Sequence, residues 1–268
     1  MELAEKYGYR PNPYALSLVK QTSNMIGVVI PNLDMPYFTK VVDGIIQMAE
    51  SQGFMVITCI SHNNYQEEKG MLTRLRDQRV DGLLVSYSRE TNDFSHLQEI
   101  TASQTPLVFF DRHTEELEAT YVISDDFRGA SLAVEYLLKK GHRRIGHMYG
   151  PENLSVSFYR FCGYREALRK AGISYDESLV FYCEDDKARQ IRHADHFHRV
   201  LPTLDAVFTF NDYAAYEVLK IARHLNLSVP KDFASSALPT TLWPNSSRLS
   251  SQLSASPPSK SASGQPRC

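Results

Sequence analysis

The sequence lacks the features of a secreted or membrane protein. Its first residues, Met1–Lys6, contain no apolar stretch like that of a signal peptide, and no apolar run approaches the length of a membrane span. The four cysteines form no C-x-x-C pair, so they offer no closely spaced metal or redox framework. We therefore predict a cytoplasmic protein without a membrane partner.

Motifs of the common enzyme classes are also missing. The sequence has no G-x-S-x-G, no H-E-x-x-H, no P-loop and no G-x-G-x-x-G. His193 and His196 would share one helix face, but His198 would not, so these three histidines indicate a solvated helix surface rather than a metal site. We predict no enzymatic activity, no cofactor and no metal.

The composition is that of a globular chain. Of its 268 residues, 43% are hydrophobic and 22% are charged, and the formal net charge is −2. A core of useful size can form, whereas the overall basic character of many nucleic-acid-binding domains is absent.

Short apolar runs alternate with amphipathic helical patterns through most of the chain. The runs are apolar on consecutive residues, which is typical of parallel strands buried on both faces. Predicted strands cover 25–30, 54–60, 81–85, 106–110, 121–123, 144–148, 179–183 and 206–210. Predicted helices cover 37–51, 65–78, 92–103, 128–140, 157–171, 187–200 and 213–225. This alternation predicts an α/β fold of two open parallel-sheet, Rossmann-like subdomains with a boundary near Thr120.

The last 34 residues have a different composition. Residues 235–268 contain eleven serines and five prolines and show no periodicity, which predicts a disordered tail. The turn at 229–234 leads toward a strand that, by this prediction, never develops. Reading an alternative frame with suitable synonymous codons restores an apolar strand, so we predict that the chain after Ala234 is translated out of frame.

Polar and aromatic side chains follow the predicted strands. In open α/β sheets, ligands bind beyond the carboxyl ends of the strands, and mixed carboxylate, guanidinium, amide and aromatic groups suit a sugar or nucleobase. The candidates in the two subdomains are Tyr37, Phe38, Asp111, Arg112, His113, Asp125, Asp126, Tyr159, Arg160, Asn211 and Asp212. Alternatively, Asp126 and Asn211 are helix N-caps and Asp111 is a turn residue.

Four segments occur in an order that resembles the LacI/GalR family of bacterial transcription regulators. They are Tyr7–Leu18, Ile26–Pro31, the pair Gly141–Ile145 and Arg160–Tyr164, and Phe210–Asp212. The resemblance runs from about Ala4 to Ala234. It implies a type I periplasmic-binding-protein-like core, a homodimer, operator DNA as a partner, and a sugar- or nucleoside-like effector in the cleft of the core.

The resemblance also implies roles for individual residues. Tyr37 and Phe38 would wall the effector pocket, while Asp111, Arg160 and Asn211 would hydrogen-bond the effector. The hinge helix, which orders on DNA, would include Tyr9, Asn12 and Ala15, with Leu18 as an apolar wedge in the minor groove.

The sequence also departs from the LacI/GalR family pattern in two places. Met1 falls after the recognition helix, so we expect 1–23 to be a remnant of the helix-turn-helix head plus the hinge. The strand expected after Ala234 is replaced. The predicted domains are thus 1–23, an N-terminal effector subdomain 24–120, an incomplete C-terminal subdomain 121–234, and the tail 235–268.

Two other classes remain as alternatives to an effector-responsive regulator. A sugar-binding protein of a transport system would share the core, but it would need a secretion signal and no hinge pattern. An enzyme of sugar or nucleoside metabolism would need a catalytic constellation that the sequence does not offer.

Overall fold

The described part of the chain forms two parallel-sheet α/β units. They divide between Val122 and Ile123, whereas the sequence predicted a boundary near Thr120. The computed structural model describes residues 22–103, 105–185, 188–229 and 233–237. Every pair of neighbouring strands in the two sheets is parallel. The predicted fold class is therefore confirmed.

The first unit contains a five-stranded sheet of order β2-β1-β3-β4-β5, here called sheet A. Its elements are, in chain order, β1 (Met25–Ile30), α1 (Pro36–Ser51), β2 (Met55–Ile60), α2 (Tyr65–Asp77), β3 (Gly82–Val85), α3 (Ser95–Ala102), β4 (Leu107–Phe110) and β5 (Thr120–Val122). Val29, Leu83, Val85 and Phe109 are fully or almost fully buried in the core of this unit. Their burial explains why these strands are apolar on consecutive residues.

The second unit contains a four-stranded sheet of order β7-β6-β8-β9, here called sheet B. Its elements are α4 (Asp126–Lys139), β6 (Ile145–Tyr149), α5 (Ser155–Lys170), β7 (Val180–Tyr182), α6 (Ala194–Val200), β8 (Ala206–Thr209), α7 (Asp212–His224) and β9 (Ala234–Ala237), with short 3₁₀ turns at Glu177–Leu179 and Leu201–Thr203. All five residues of β6 are buried, and the strand starts and ends one residue later than the predicted range 144–148.

The predicted helix 187–200 is wrong in its first half. The helix begins only at Ala194, after a stretch in which Ala188 and His193 have left-handed backbone conformations. Ile191 instead forms an antiparallel bridge with Cys183. Two residues with positive φ cannot belong to a right-handed helix, and the charge pattern of this stretch did not reveal them.

The prediction that no strand develops after Ala234 is also wrong. Residues Ala234–Ala237 pair in parallel with β8, from Ala206 opposite Ala234 to Thr209 opposite Ala237. Ser235–Ala237, predicted as the start of a disordered tail, therefore belong to sheet B. Ladder hydrogen bonds use only main-chain groups, so small side chains of low strand propensity can still complete the edge. The rest of the predicted tail lies outside the described residues.

Candidate functional site

Arg160 lies at the carboxyl edge of sheet B and is held there by hydrogen bonds to two neighbouring residues. Its Nε donates to Oδ1 of Asp126 at 2.7 Å, and its Nη2 lies 2.7 Å from the same oxygen. Its Nη1 donates to the carbonyl oxygen of Phe210, directly after β8. Only 14% of the Arg160 side chain and 8% of the Asp126 side chain are exposed. These bonds join α5, α4 and the end of β8, and they fix the guanidinium in one orientation before any ligand arrives.

The residues that follow Arg160 explain how α5 reaches this position. A Cβ on Gly163 would lie 2.3 Å from the carbonyl oxygen of Phe127 and 2.7 Å from Cβ of Ala130, so only glycine permits the close packing of α5 against α4. The buried Tyr164 hydroxyl donates to the Ile145 carbonyl at 2.8 Å, which ties α5 to β6. Gly163 and Tyr164 of the Arg160–Tyr164 motif thus pack α5 against its neighbours and thereby position the Arg160 guanidinium.

Asn211 has the structural role that the sequence left open as an alternative. It is the N-cap of α7, and its side-chain oxygen accepts a hydrogen bond from the Ala214 amide at 2.8 Å. The corresponding expectation for Asp126 is wrong, because Asp125 caps α4 by accepting from the Arg128 amide at 2.9 Å. Asp126 lies one residue further on, and its carboxylate pairs with Arg160 instead.

Asp111 follows β4 at the carboxyl edge of sheet A, with a left-handed backbone conformation at φ 64°. Its amide donates to the Val122 carbonyl at 3.1 Å, and its Oδ2 lies 3.8 Å from Nε of the buried Arg112. The left-handed conformation turns the chain sharply where the strand ends, consistent with the turn role predicted as the alternative. A conformation that few residues adopt readily restricts what can replace Asp111.

Asn63 is a residue of this edge that the sequence reasoning missed. Its side-chain oxygen accepts from Nη1 of Arg112 at 2.9 Å and from the Arg89 amide at 3.1 Å. The same Nη1 donates to the Tyr87 carbonyl at 2.7 Å. The ends of β2, β3 and β4 are therefore joined by one buried guanidinium. The run His62-Asn63-Asn64 directly after a strand was the available signal, since asparagine tolerates the positive φ found at Asn63.

Tyr37 and Phe38 lie in the first turn of α1 and differ in exposure. Phe38 is buried, whereas Tyr37 is partly exposed. The two rings pack edge to face with centroids 5.2 Å apart. Phe38 therefore supports Tyr37, and Tyr37 is the ring of this pair that a ligand can reach.

A neutral aromatic layer lies beneath Arg160 in the second unit. His147, on β6, is fully buried and stacks on Phe161, Tyr164 and Phe208. Burial lowers its pKa to about 3; a hydrogen bond to the Phe208 carbonyl opposes this shift, and the positive charge of Arg160 adds to it. The imidazole is therefore neutral near pH 7 and adds no charge to the site.

Other predicted residues lie elsewhere or outside the description. The hinge residues Tyr9, Asn12, Ala15 and Leu18 are outside the described residues. Near α6, His196 contacts the Ser178 carbonyl and His198 the Ala194 carbonyl through ring nitrogens. Within the described ranges, no group of three His, Cys, Asp or Glu side chains is placed to hold a metal ion. In the same residues, no helix has the length and apolar character needed to cross a bilayer.

Two parallel α/β units with ordered polar groups at their carboxyl edges define the class of periplasmic-type binding proteins. Residues 23–240 match the family described as periplasmic binding proteins and sugar binding domain of LacI family. The chain belongs to the LacI family of transcriptional regulators, as the four sequence segments indicated, and this assignment favours a regulator over a transport protein.

Individual relatives agree with this assignment. The chain is 30% identical over 239 residues to the transcriptional regulator DegA of Bacillus subtilis, covering 87% of this chain and 69% of DegA. It is 29% identical over 231 residues to the transcriptional repressor CytR of Escherichia coli, covering 86% and 67%. Among solved structures, the complex of the regulator CelR with cellobiose is similar with a TM-score of 0.70 and 26% identity, covering 87% of this chain and 70% of CelR.

Proposed function

We propose that this chain carries the effector-binding core of a cytoplasmic LacI-type regulator, and that a sugar- or nucleoside-like molecule binds through side chains at the carboxyl edges of sheets A and B. The observation that carries the proposal is the fixed guanidinium of Arg160. A pre-oriented arginine loses little side-chain freedom when it binds a hydroxyl-bearing ligand.

The proposed contacts differ in role between the two units. Arg160 and Asn211 donate to ligand oxygens, Asp111 accepts from hydroxyl groups, and Tyr37 covers an apolar ring face. Relatives support the class of ligand, since CelR is solved with cellobiose and another relative is a ribose operon repressor. No part of this arrangement contains a nucleophile–base pair, so we propose binding without turnover.

Calorimetric titration of the chain with a panel of sugars and nucleosides tests the proposal. Replacing Arg160 alone would leave the buried Asp126 without its ion pair, so the informative variant is the double substitution Arg160→Ala with Asp126→Ala. We expect it to weaken binding of the identified compound about tenfold or more, since a lost buried polar contact costs roughly 1–3 kcal/mol.

Two further variants sharpen this test. Asp111→Asn keeps a residue type that tolerates the left-handed backbone and changes only the carboxylate, so it should weaken binding without unfolding the chain. Arg169→Ala is the matched control, because Arg169 lies on the same helix and pairs with Glu166 at the surface. If the double variant and Asp111→Asn both bind the compound as tightly as the wild type, Arg160 and Asp111 do not belong to the effector site.

The homodimer also belongs to this proposal. Tyr216 and Leu219 lie one turn apart on α7 with exposed apolar side chains, and 62% of Tyr216 is exposed. A second copy of the chain would cover this apolar pair. Sedimentation of Tyr216→Lys should show a shift toward monomer relative to the wild type, and an unchanged distribution would remove this face from the dimer interface.

We also propose that the dimer binds operator DNA through the segment before residue 22, with Leu18 as the apolar wedge. Selection of duplexes from a random-sequence pool by the protein tests this role. A Leu18→Ala variant that binds the selected duplex as tightly as the wild type would contradict the wedge.

A further inference from the structure

Asp81 lies at the amino-terminal edge of sheet A, directly before β3, and holds the chain that enters β1. Its Oδ2 accepts from the Thr22 hydroxyl at 2.5 Å and from the Asn24 amide at 2.8 Å. Its Oδ1 accepts from the Ser23 amide at 2.9 Å. One carboxylate thus binds three consecutive residues, and these are the first that the structure describes after the segment carrying the predicted hinge.

Main-chain bonds fix the direction of the same residues. Asn24 has a left-handed conformation at φ 51°, and its carbonyl accepts from the Met55 amide at 2.8 Å. The Met25 carbonyl accepts from the Asp81 amide, also at 2.8 Å. The chain therefore enters the sheet in one defined direction, set by the starts of β2 and β3 together with the Asp81 carboxylate.

The second unit contains the same device. Asp205, directly before β8, accepts from the amides of Arg143 and Arg144, which enter β6, at 2.8 and 2.7 Å. The registers correspond, since Ile26 in β1 is opposite Gly82 and Ile145 in β6 is opposite Ala206. Asp81 and Asp205 therefore occupy equivalent places in the two sheets.

The residues that bind Asp81 and those that bind Asp205 follow different parts of the chain. Arg143 and Arg144 follow helix α4 of the same unit, whereas the residues held by Asp81 follow the segment 1–21. Burial acts to raise the pKa of the Asp81 carboxyl, but the hydrogen bonds from Thr22, Ser23 and Asn24 together lower it below its usual value. The three hydrogen-bond donors thus stabilise the ionised form of the Asp81 side chain.

We propose that Asp81 is a positioning residue for DNA binding, which fixes the direction in which the segment 1–21 leaves the first unit. This inference rests on the proposed function, because it assigns to that segment a role on operator DNA. Asp81 touches no effector candidate, since those of the first unit lie at the opposite, carboxyl edge of sheet A. Its effect on DNA is exerted through residues 22–24 alone.

Hydrogen exchange followed by mass spectrometry tests the contact directly. In Asp81→Ala both acceptor oxygens are removed, so the amides of Ser23 and Asn24 should exchange about tenfold faster or more, while the amides of β1 keep their wild-type rates. Asp205→Ala is the matched control, which should accelerate exchange at Arg143 and Arg144 only. Unchanged exchange at Ser23 and Asn24 in Asp81→Ala overturns the inference.

Binding to a duplex selected by the wild-type protein separates a positioning role from an effect on stability. Asp81→Ala and Asp205→Ala should both lower the melting temperature, yet only Asp81→Ala should weaken DNA binding, by about tenfold. DNA affinity reduced equally in both variants, or in neither, overturns the positioning role. A wild-type protein that selects no duplex contradicts the proposed function instead, and the exchange result still decides whether Asp81 fixes the segment.

Discussion

Replacing the buried His147 should remove a specific part of the pH dependence of stability. The side chain titrates with a pKa of about 3 in the folded protein, against an ordinary value of 6.5. Between these values the unfolded chain binds more protons than the folded one, so the free energy of unfolding falls as the pH falls below 6.5. Lowering the pH from about 7.5 to about 5 therefore costs about 2 kcal/mol from this one side chain.

His147→Phe is the informative variant, because phenylalanine can stack on the same aromatic rings and cannot take up a proton. Loss of the hydrogen bond between Nδ1 and the Phe208 carbonyl, 3.0 Å in length, should cost about 1 kcal/mol at neutral pH. Urea unfolding at a series of pH values gives the free energy of unfolding of both proteins, and contributions from other titrating groups cancel in the difference. This difference should shift by about 2 kcal/mol in favour of the variant by pH 5.

A matched control is available in His224→Gln, since His224 is exposed at the end of α7. This control shows how much of any change arises from replacing a histidine at the surface. If the difference between His147→Phe and wild type stays constant between about pH 7.5 and about pH 5, the neutral, buried state assigned to His147 is refuted.

Three further predictions concern packing and buried charge. Gly163→Ala should destabilise the protein by about 2 kcal/mol, because the new Cβ would collide with the backbone of α4. Gly44→Ala on α1, where the space around Gly44 is open, should instead stabilise the protein by about 0.5–1 kcal/mol. Thermal unfolding of both variants tests whether the close packing of the helices causes the loss at Gly163. Arg160→Ala and Asp126→Ala should each cost about 3 kcal/mol, and a double-mutant cycle should show that the two losses do not add; additive losses would contradict the buried pair. Glu68→Ala should cost about 3 kcal/mol, since this buried carboxylate satisfies three donors, and a loss below about 1 kcal/mol in urea unfolding would show that water replaces it.

The strands were predictable from the sequence because buried strands of a parallel sheet consist of local runs of apolar residues. Met25–Ile30 is a strand with the predicted bounds. The rule that ligands bind at the carboxyl ends of strands also predicted that Arg160 and Asn211 lie at that edge of their sheet, and the structure places both there. Sequence alone does not distinguish a cap from a ligand contact, however, and Asn211 has the capping role.

The remaining features depend on contacts between distant residues. The pairing of Arg160 with Asp126, 34 residues away, depends on how α5 packs against α4 through Gly163. Asn63 matters because it binds Arg112, 49 residues away. Strand β9 forms through main-chain pairing with β8, which leaves no apolar signature in Ala234–Ala237. The apolar periodicity of the sequence carries no information on any of these contacts.

The most direct test of an effector-responsive regulator is the affinity of the protein for its selected duplex, measured by fluorescence anisotropy with and without the compound that calorimetry identifies. We predict that this compound changes the DNA affinity at least about fivefold, the usual lower range of allosteric coupling. We also predict that the change is lost in the double substitution Arg160→Ala with Asp126→Ala. A compound that binds the wild-type protein tightly and leaves its DNA affinity unchanged would contradict the account.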